Sequence, residues 1–253
     1  MGTKWYFFFR NALFIPLTRC YLRPRVVGAD NIPETGGYLL AANHLSASET
    51  YMVPSVIKRQ ITFPAKIELF QGNSGFWSKV VAWFMRATGQ IALDRAGGRQ
   101  SADAMKPVVE ALRAGRLVGI FPEGTRSVDG RLYKGHTGVA RMLLEADVPV
   151  IPVGMIDTQF VKGRFGLPRL RRAQIVIGTP VSFSEFVGQR HQLSTLRWVT
   201  SSIMAEIQKL TGQEYVDLYG SRVKSGELSE AEIAARVRAT PLEGVTKPEI
   251  RNP

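Results

Sequence analysis

The sequence predicts an α/β domain with a largely parallel central sheet flanked by helices. Short apolar runs with the length of buried strands alternate along the chain with longer segments of helical periodicity. That alternation is typical of βαβ units, whose strands run parallel. The chain has 253 residues and is 45% hydrophobic, which suffices for the core of one large domain of this class.

Short apolar runs mark the expected strands. The first, Tyr38–Ala42, reads Tyr-Leu-Leu-Ala-Ala and ends at Asn43-His44. Pro64 lies inside the second run and indicates an edge or irregular strand, because proline cannot donate a ladder hydrogen bond. The expected strands cover residues 38–42, 61–69, 91–95, 117–121, 148–156 and 173–178.

Helical patterns fill the intervals between these runs. Gly115 ends one helix, and Ser229-Glu-Ala-Glu232 is a capping box that opens the last one. The tail from Thr240 carries prolines and is expected to be loosely held. The expected helices cover about residues 48–58, 76–88, 101–114, 138–146, 193–210 and 229–238.

The N-terminus favours an additional helical segment at a membrane interface. Residues 1–25 carry many aromatic side chains and five Lys or Arg residues but no acidic residue. This composition fits a helix lying among lipid headgroups, with a core helix packed on the domain as the alternative. Arg10 interrupts the apolar run and no small-x-small cleavage site follows, which argues against a signal peptide. We therefore expect an interface segment (1–27), an α/β domain (28–212) and a C-terminal helical extension with a tail (213–253).

Composition limits the partners. Lys and Arg outnumber Asp and Glu by 33 to 21, giving a net charge of +12, which indicates an anionic partner: nucleic acid, anionic lipid or a phosphorylated substrate. The single cysteine, Cys20, excludes an intramolecular disulfide framework and a Cys-rich zinc site, and favours a reducing, cytoplasmic setting. His44, His136 and His191 are too scattered to suggest a metal site. No apolar stretch approaches the roughly 20 residues that span a bilayer.

The end of the first strand carries a candidate catalytic pair. Open α/β sheets keep their chemistry at the carboxyl ends of strands, where His44 is expected to lie. A helix capped by Ser46 or Ser48 would bring Glu49 back toward the imidazole. A carboxylate on one ring nitrogen leaves the other nitrogen free to act as a base. The same pattern alone also fits a capped turn with a structural histidine.

Cations follow the other strand ends. Arg95 ends the third strand and Glu123-Gly-Thr-Arg126 follows the fourth, so both are expected at the same sheet edge as His44. Lys66 and Lys134 are expected to add positive charge there. Lys and Arg side chains bind phosphate oxygens well. The sequence contains no Walker-type glycine loop, which argues against a nucleoside triphosphate as the substrate. The pattern predicts a base beside a phosphate pocket, suited to transferring a group to the hydroxyl of a phosphorylated small molecule.

Four sequence blocks occur in a fixed order over about residues 38–156. They are Asn43-His44 to Glu49, Gly89-Gln-Ile-Ala-Leu-Asp-Arg95, Phe121-Pro-Glu-Gly-Thr-Arg-Ser127 and Val148-Pro-Val-Ile-Pro152. Together, in order and spacing, they resemble the 1-acylglycerol-3-phosphate O-acyltransferases of the glycerophospholipid acyltransferase superfamily, and the third block is the most specific. The family's usual acid in the first block is Asp, whereas this chain has Glu49, which is one methylene longer.

The resemblance implies an acyltransferase that makes phosphatidic acid in phospholipid biosynthesis, without a covalent enzyme intermediate. His44, held by Glu49, would take the proton from the free hydroxyl of a lysophosphatidate as that oxygen attacks the thioester of acyl-CoA or acyl carrier protein. No cofactor or metal is implied beyond this acyl donor. Lys66, Arg95 and Arg126 would bind the substrate phosphate.

Three residues of the third block have expected supporting roles. Glu123 would brace the cations, and backbone N–H groups around Gly124 and Thr125 are candidates for stabilising the oxyanion. His136 and His191 are expected to be structural.

The enzyme is expected at the cytoplasmic face of the membrane as a peripheral protein. The N-terminal segment and the basic loop Lys162–Arg172 would contact anionic lipid. That loop could instead be a solvated face or bind coenzyme A phosphates.

Several alternatives stay open. A glycerol-3-phosphate or other lysophospholipid acyltransferase would share the motifs. A non-catalytic phospholipid-binding protein would follow if the change to Glu49 abolished transfer. A nucleic-acid binder rests on charge alone, and the sequence has no recognised motif for it.

Overall fold

The computed structural model describes residues 2–93, 102–162, 168–170 and 172–250. Strands are numbered in chain order. They are β1 (Arg25–Val27), β2 (Tyr38–Ala42), β3 (Ile61–Thr62), β4 (Pro64–Lys66), β5 (Ile91–Leu93), β6 (Leu117–Ile120), β7 (Leu132–Tyr133), β8 (Val150–Ile156), β9 (Phe160–Lys162), β10 (Pro168–Leu170), β11 (Gln174–Ile177), β12 (Tyr215–Val216) and β13 (Val237–Arg238).

The first helix continues into two π-helical segments, Arg10–Phe14 and Leu17–Leu22. Short 3₁₀ turns lie at Ala29–Asn31 and Ser184–Gln189. The α-helices are α1 (Gly2–Phe9), α2 (Glu49–Val56), α3 (Glu68–Gln71), α4 (Phe76–Ala87), α5 (Ala102–Arg113), α6 (Gly138–Ala146), α7 (Leu193–Thr211), α8 (Gly220–Lys224) and α9 (Glu230–Ala234).

The central sheet has the strand order β1-β11-β8-β2-β6-β3. Strand β2 lies parallel to both β6 and β8, with Leu40 opposite Gly119 and Ile151. β3–β6 and β1–β11 are also parallel, whereas β11 runs antiparallel to β8. The carboxyl ends of β2, β6 and β8 therefore meet at one edge. The predicted α/β class with a largely parallel sheet is confirmed.

Helices cover both faces of the sheet, and β2 shows why its sequence is apolar throughout. Leu39 and Ala41 face one core cluster, which contains residues of α5, α6 and α7. Leu40 and Ala42 face the other, built with α2 and the N-terminal segment. Because both faces are buried, a continuous apolar run replaces the alternation of a half-exposed strand.

The predicted strand over residues 61–69 is wrong in extent. Residues 61–62 join β6, but β4 leaves the central sheet and pairs with β5 in a separate parallel pair. Pro64 begins β4, consistent with an irregularity at a residue that lacks an N–H. The third predicted strand thus lies outside the central sheet. Its last residues, Asp94 and Arg95, lie outside the described residues.

The N-terminal segment packs on the domain with one side. The Tyr6 hydroxyl accepts a hydrogen bond from the Ile61 N–H, and Tyr6 and Leu22 are buried. Arg10 Nε donates to the carbonyls of Pro54 and Ile57 at 2.9 and 3.1 Å. This side matches the alternative of a core helix, while the other side of the segment is exposed.

The C-terminal region adds a small sheet, in which β12 pairs with β7 and β13. The Ser229 capping box forms as predicted, but its helix ends at Ala234, and the expected helix to 238 instead contains β13. The tail is also more closely packed than expected. Gln189 Nε2 donates to the Glu249 carbonyl, and Lys247 lies 3.5 Å from Glu185.

Candidate active site

His44 and Glu49 form a hydrogen-bonded pair at the end of β2. His44 Nδ1 lies 2.7 Å from Glu49 Oε2. The imidazole is 16% exposed and the carboxylate is fully buried. An ionised carboxylate only accepts hydrogen bonds, so Nδ1 carries the proton and Nε2 keeps its lone pair. Within the described chain Nε2 has no hydrogen-bond partner, which suits a general base.

Local backbone geometry fixes the carboxylate. Glu49 begins α2, and its side chain folds back over the preceding loop. Oε1 accepts the N–H groups of Leu45 and Ser46, both at 3.0 Å. The Thr158 hydroxyl also donates to Oε1. These hydrogen bonds hold Oε1 in place. Oε2 is thereby kept in contact with the imidazole, although Glu is one methylene longer than the usual Asp.

Asn43 fixes the strand end that carries the histidine. Its Oδ1 accepts the Met155 N–H at 2.6 Å, and its Nδ2 donates to the Met155 carbonyl at 2.8 Å. Nδ2 also donates to Gln213 Oε1 at 2.9 Å. Asn43 therefore ties the end of β2 to β8, which limits the motion of His44 relative to the sheet.

An aromatic column supports one face of the imidazole. The His44 ring stacks on Phe121 with centroids 3.9 Å apart, and Phe121 stacks on Phe63 at 5.9 Å. Gly119 leaves room for this column, because a Cβ there would lie 2.4 Å from Phe63 Cε1. Residues 119–121 thus lie at the end of β6 and support the His44 ring: Gly119 leaves space for Phe63, and Phe121 stacks on the imidazole.

The His44 side chain lines a cavity of about 890 Å³. Lys66 and Arg126, both exposed, line the same cavity. Neither side chain makes an ion pair or hydrogen bond with another described residue, so both are available to an anion. This places two of the predicted phosphate-binding residues beside the candidate base.

Much of the remaining cavity wall is apolar. The N-terminal segment, α4, α5 and α6 all contribute to it, so the cavity runs from the cations into the region between helices. An apolar cavity beside two cations fits a ligand with an anionic head and a hydrocarbon tail. Apolar lining residues include Tyr6, Phe14, Phe84, Met85, Met105 and Met142.

Glu123 does not brace cations as expected. Its Oε1 accepts the His44 N–H at 3.0 Å and its Oε2 accepts the Tyr133 N–H at 2.9 Å. Burial raises the pKa of Glu123 to about 8, although these two hydrogen bonds oppose the shift. The reason for the different role is local: the carboxyl group turns inward between β2 and β7, away from the cavity, and joins their backbones.

Gly124 and Thr125, the other residues of the third block with an expected role, differ in whether their N–H groups donate a hydrogen bond within the described chain. Gly124 lines the cavity at φ +69°, but its N–H donates to the Phe121 carbonyl at 3.0 Å. The N–H of Thr125 has no acceptor in the described parts of the chain. The Thr125 side chain faces Gly220, where a Cβ would lie 3.1 Å from Thr125 Cγ2.

Lys134 lies outside the positive pocket to which we assigned it. Pairing of β7 with β12 places it beside Asp217, and the ion pair measures 2.8 Å. Arg95, the third predicted phosphate ligand, lies outside the described residues. Among the residues that are described, no three His, Cys, Asp or Glu side chains come together as metal ligands would.

Two residues were not predicted to lie near the site. His136 lines the cavity and its ring stacks on Tyr219 with centroids 4.5 Å apart, a contact that is compatible with the structural role expected for it. Thr158 contacts Glu49 from 109 positions away. Thr158 comes two residues after β8, so the rule that functional residues follow strand ends points to it as it does to the residues after β2 and β6.

A family model described as Acyltransferase matches residues 23–156. Curated relatives include a chloroplastic 1-acyl-sn-glycerol-3-phosphate acyltransferase of Brassica napus, 27% identical over 64% of this chain and 46% of the relative. A Bacillus subtilis 1-acyl-sn-glycerol-3-phosphate acyltransferase is 28% identical over 64% of this chain and 75% of the relative. The chain thus spans about half the length of its chloroplast relatives.

The fold has a solved counterpart, the crystal structure of the 1-acyl-sn-glycerophosphate acyltransferase PlsC from Thermotoga maritima. The TM-score is 0.58 at 22% sequence identity, and the likeness covers 79% of this chain and 78% of that one. The family match takes in more than half of this chain, including His44, Glu49 and Arg126. This chain therefore belongs to the acyltransferase family.

Proposed function

We propose that this protein transfers a fatty acyl group from an acyl thioester to the free hydroxyl of 1-acylglycerol-3-phosphate, forming phosphatidic acid. One observation carries the proposal: a carboxylate-held imidazole opens into an apolar cavity that also contains, among the described residues, two unpaired cations, Lys66 and Arg126. The names of the Brassica and Bacillus relatives support the same substrate.

The chemistry needs one proton carrier. His44 Nε2 accepts the hydroxyl proton as the oxygen attacks the thioester carbonyl carbon. Glu49 stabilises the imidazolium that forms. When the tetrahedral intermediate collapses, the C–S bond breaks and the imidazolium returns the proton to the leaving thiolate. The base is thereby regenerated and no acyl-enzyme forms.

Substrate positioning falls to the cavity cations. Lys66 and Arg126 would bind the phosphate, which places the neighbouring hydroxyl near Nε2. Arg95 stays a proposed third ligand from its motif position. Because Gly124 N–H is used within the turn, we propose the N–H of Thr125 as the oxyanion donor of this pair.

We further propose that residues 1–27 dock the enzyme on a membrane together with α4. Trp5 packs on Trp83 with centroids 5.2 Å apart, which joins the two helices into one exposed aromatic surface. Phe76 and Trp77 are 73% and 76% exposed, as expected of side chains that enter a lipid interface. No helix in the described ranges is both long and apolar enough to cross a bilayer. We propose a peripheral position on the cytoplasmic face of the membrane.

A transfer assay tests the proposal and its alternatives. The purified protein is incubated with lysophosphatidate and a chain-length series of acyl-CoA or acyl carrier protein donors, and phosphatidic acid is measured by mass spectrometry. Product formation that depends on the donor supports the proposal. Transfer to glycerol-3-phosphate but not to lysophosphatidate would favour a glycerol-3-phosphate acyltransferase. Lipid binding without thioester cleavage would indicate a non-catalytic lipid-binding protein.

A further inference from the structure

Thr158 is a fully buried threonine whose hydroxyl contacts the candidate catalytic pair. Its Oγ1 donates to Glu49 Oε1, the oxygen that does not contact His44. It lies two residues beyond the range matched by the family model, and none of the four sequence blocks contains it. A hydrogen bond to a buried carboxylate is stronger than one between neutral groups.

The position of Thr158 is fixed by the strand that precedes it and by a hydrogen bond to its own carbonyl. It follows β8, which lies parallel to β2, so both strands deliver their next residues to the same place. Asp157 adopts a left-handed conformation at φ +52°, which non-glycine residues rarely adopt, and redirects the chain. The Ser48 hydroxyl then donates to the Thr158 carbonyl at 3.3 Å. Thr158 is thus fixed to the loop that precedes Glu49.

We infer that Thr158 is a positioning residue that keeps Glu49 aligned on His44. Glu has one more rotatable bond than the Asp usual in this motif, so the carboxylate needs an additional constraint to stay in one orientation. The N–H groups of Leu45 and Ser46 come from the same loop as His44. Thr158 supplies the constraint from a different strand, and it holds Oε1 so that Oε2 stays 2.7 Å from Nδ1.

The kinetic effects of this role rest on the proposed acyl transfer. Thr158→Val keeps the shape of the side chain but removes the donor. We expect kcat to fall by roughly tenfold to a hundredfold, the range for losing one hydrogen bond to a charged group. KM for lysophosphatidate should stay within about twofold, because Thr158 is not among the cavity-lining residues. Thr158→Ser keeps a hydroxyl and should recover most of kcat.

Thr200→Val is the matched control. Thr200 is equally buried, but its hydroxyl donates to the Leu196 carbonyl within its own helix. This variant should keep the kcat of the wild type. If Thr158→Val also keeps it, or if Thr158→Ser is as slow as Thr158→Val, the inference is overturned.

A double-mutant cycle with Glu49→Asp tests whether Thr158 acts through Glu49. The shorter Asp cannot hold both the imidazole and Thr158, so removing the Thr158 hydroxyl should change kcat by no more than about twofold in that background. An equal loss in the wild-type and Glu49→Asp backgrounds would show that the hydroxyl acts elsewhere.

An NMR measurement separates this inference from the proposed function. The downfield proton resonance of His44 Nδ1–H should be present in the wild type and in Thr158→Ser, and broadened or shifted in Thr158→Val. If the wild type catalyses no transfer but the resonance changes as described, the proposed function fails while the positioning role holds. An unchanged resonance in Thr158→Val would overturn the positioning role itself.

Discussion

Replacing Glu49 by Gln should reverse the proton arrangement of the imidazole with almost no change in shape. A carboxylate has two accepting oxygens, and here each is used. Oε1 faces three donors, the Leu45 and Ser46 N–H groups and the Thr158 hydroxyl. Oε2 faces His44 Nδ1 at 2.7 Å and shares the Leu45 N–H at 3.2 Å. A glutamine offers one accepting oxygen and one NH₂ donor group, so one of these two sides must lose its acceptor.

The donors around Glu49 determine whether the Oε1 or the Oε2 position loses its accepting oxygen in Glu49→Gln. Placing the NH₂ group at the Oε1 position would oppose all three donors there. At the Oε2 position it would oppose only the shared Leu45 N–H at 3.2 Å, because Nδ1 can change its tautomer and accept. The amide oxygen therefore takes the Oε1 position and the NH₂ group faces Nδ1. Nδ1 must then accept, and the ring proton moves to Nε2, where it blocks proton uptake from the substrate. The analogous Asp-to-Asn change in serine proteases lowers kcat about 10⁴-fold. We expect Glu49→Gln to lose roughly 10³- to 10⁴-fold in kcat, about 4–5.5 kcal/mol in barrier height.

The assay is phosphatidic acid formation under saturating lysophosphatidate and acyl donor. KM should change little, because Glu49 is buried outside the cavity wall. Glu49→Asp is the control, since it keeps a carboxylate and should retain far more activity than Glu49→Gln. If Glu49→Gln keeps more than about a tenth of the wild-type kcat, the Glu49 carboxylate does not set the tautomer of His44.

Three further predictions concern stability, substrate binding and membrane docking. Burial raises the pKa of Glu123 from its ordinary 4.5 to about 8, so the stability that its protonated form contributes is fully present below about pH 4.5 and lost as the pH rises through 8. The free energy of unfolding, measured with urea, should fall by a few kcal/mol over that range, and equal pH slopes in the wild type and Glu123→Gln would contradict this. Lys66→Met and Arg126→Met should each raise KM for lysophosphatidate about tenfold or more, whereas a change in kcat alone would exclude a phosphate-binding role. Replacing Phe76 and Trp77 by Ser should weaken sedimentation with phosphatidylglycerol vesicles at least severalfold, and unchanged sedimentation would argue against docking through α4.

The contact between His44 and Glu49 was predictable because it is local. A continuous apolar run predicts a strand buried on both faces, and Glu49 follows His44 by only five positions. The strand-end rule therefore places His44 correctly, and the short loop brings the carboxylate back. Arg126 follows from the same rule, because it comes after β6 and lines the same cavity. Lys66 was expected within a strand over residues 61–69, and it reaches the cavity because β4 ends at this residue.

Long-range pairing explains what the sequence did not predict. Lys134 has a motif-like context, yet its position depends on β12, far along the chain, whose neighbour Asp217 is its partner. β4 and β5 pair with each other instead of joining the central sheet, and nothing in their composition specifies a partner strand. Glu123 lies in the predicted motif, but its inward orientation depends on backbone donors from two separate parts of the chain.

The N-terminal segment shows why burial is hard to assign from composition. Its aromatic residues divide between two environments: Tyr6 bonds the backbone of Ile61 in the core, whereas Trp5 and Phe8 are exposed. Both environments accept aromatic side chains, so the aromatic excess that favours an interfacial helix does not say which of these side chains are buried.

The proposed role of His44 as the base is tested most directly by a single-turnover transfer experiment with His44→Ala, with lysophosphatidate binding measured on the same preparation. We expect that formation of phosphatidic acid is abolished, while the dissociation constant for lysophosphatidate stays close to that of the folded wild type. Retained transfer at more than about a hundredth of the wild-type rate would contradict it, because a group other than the His44 imidazole would then have to take the hydroxyl proton.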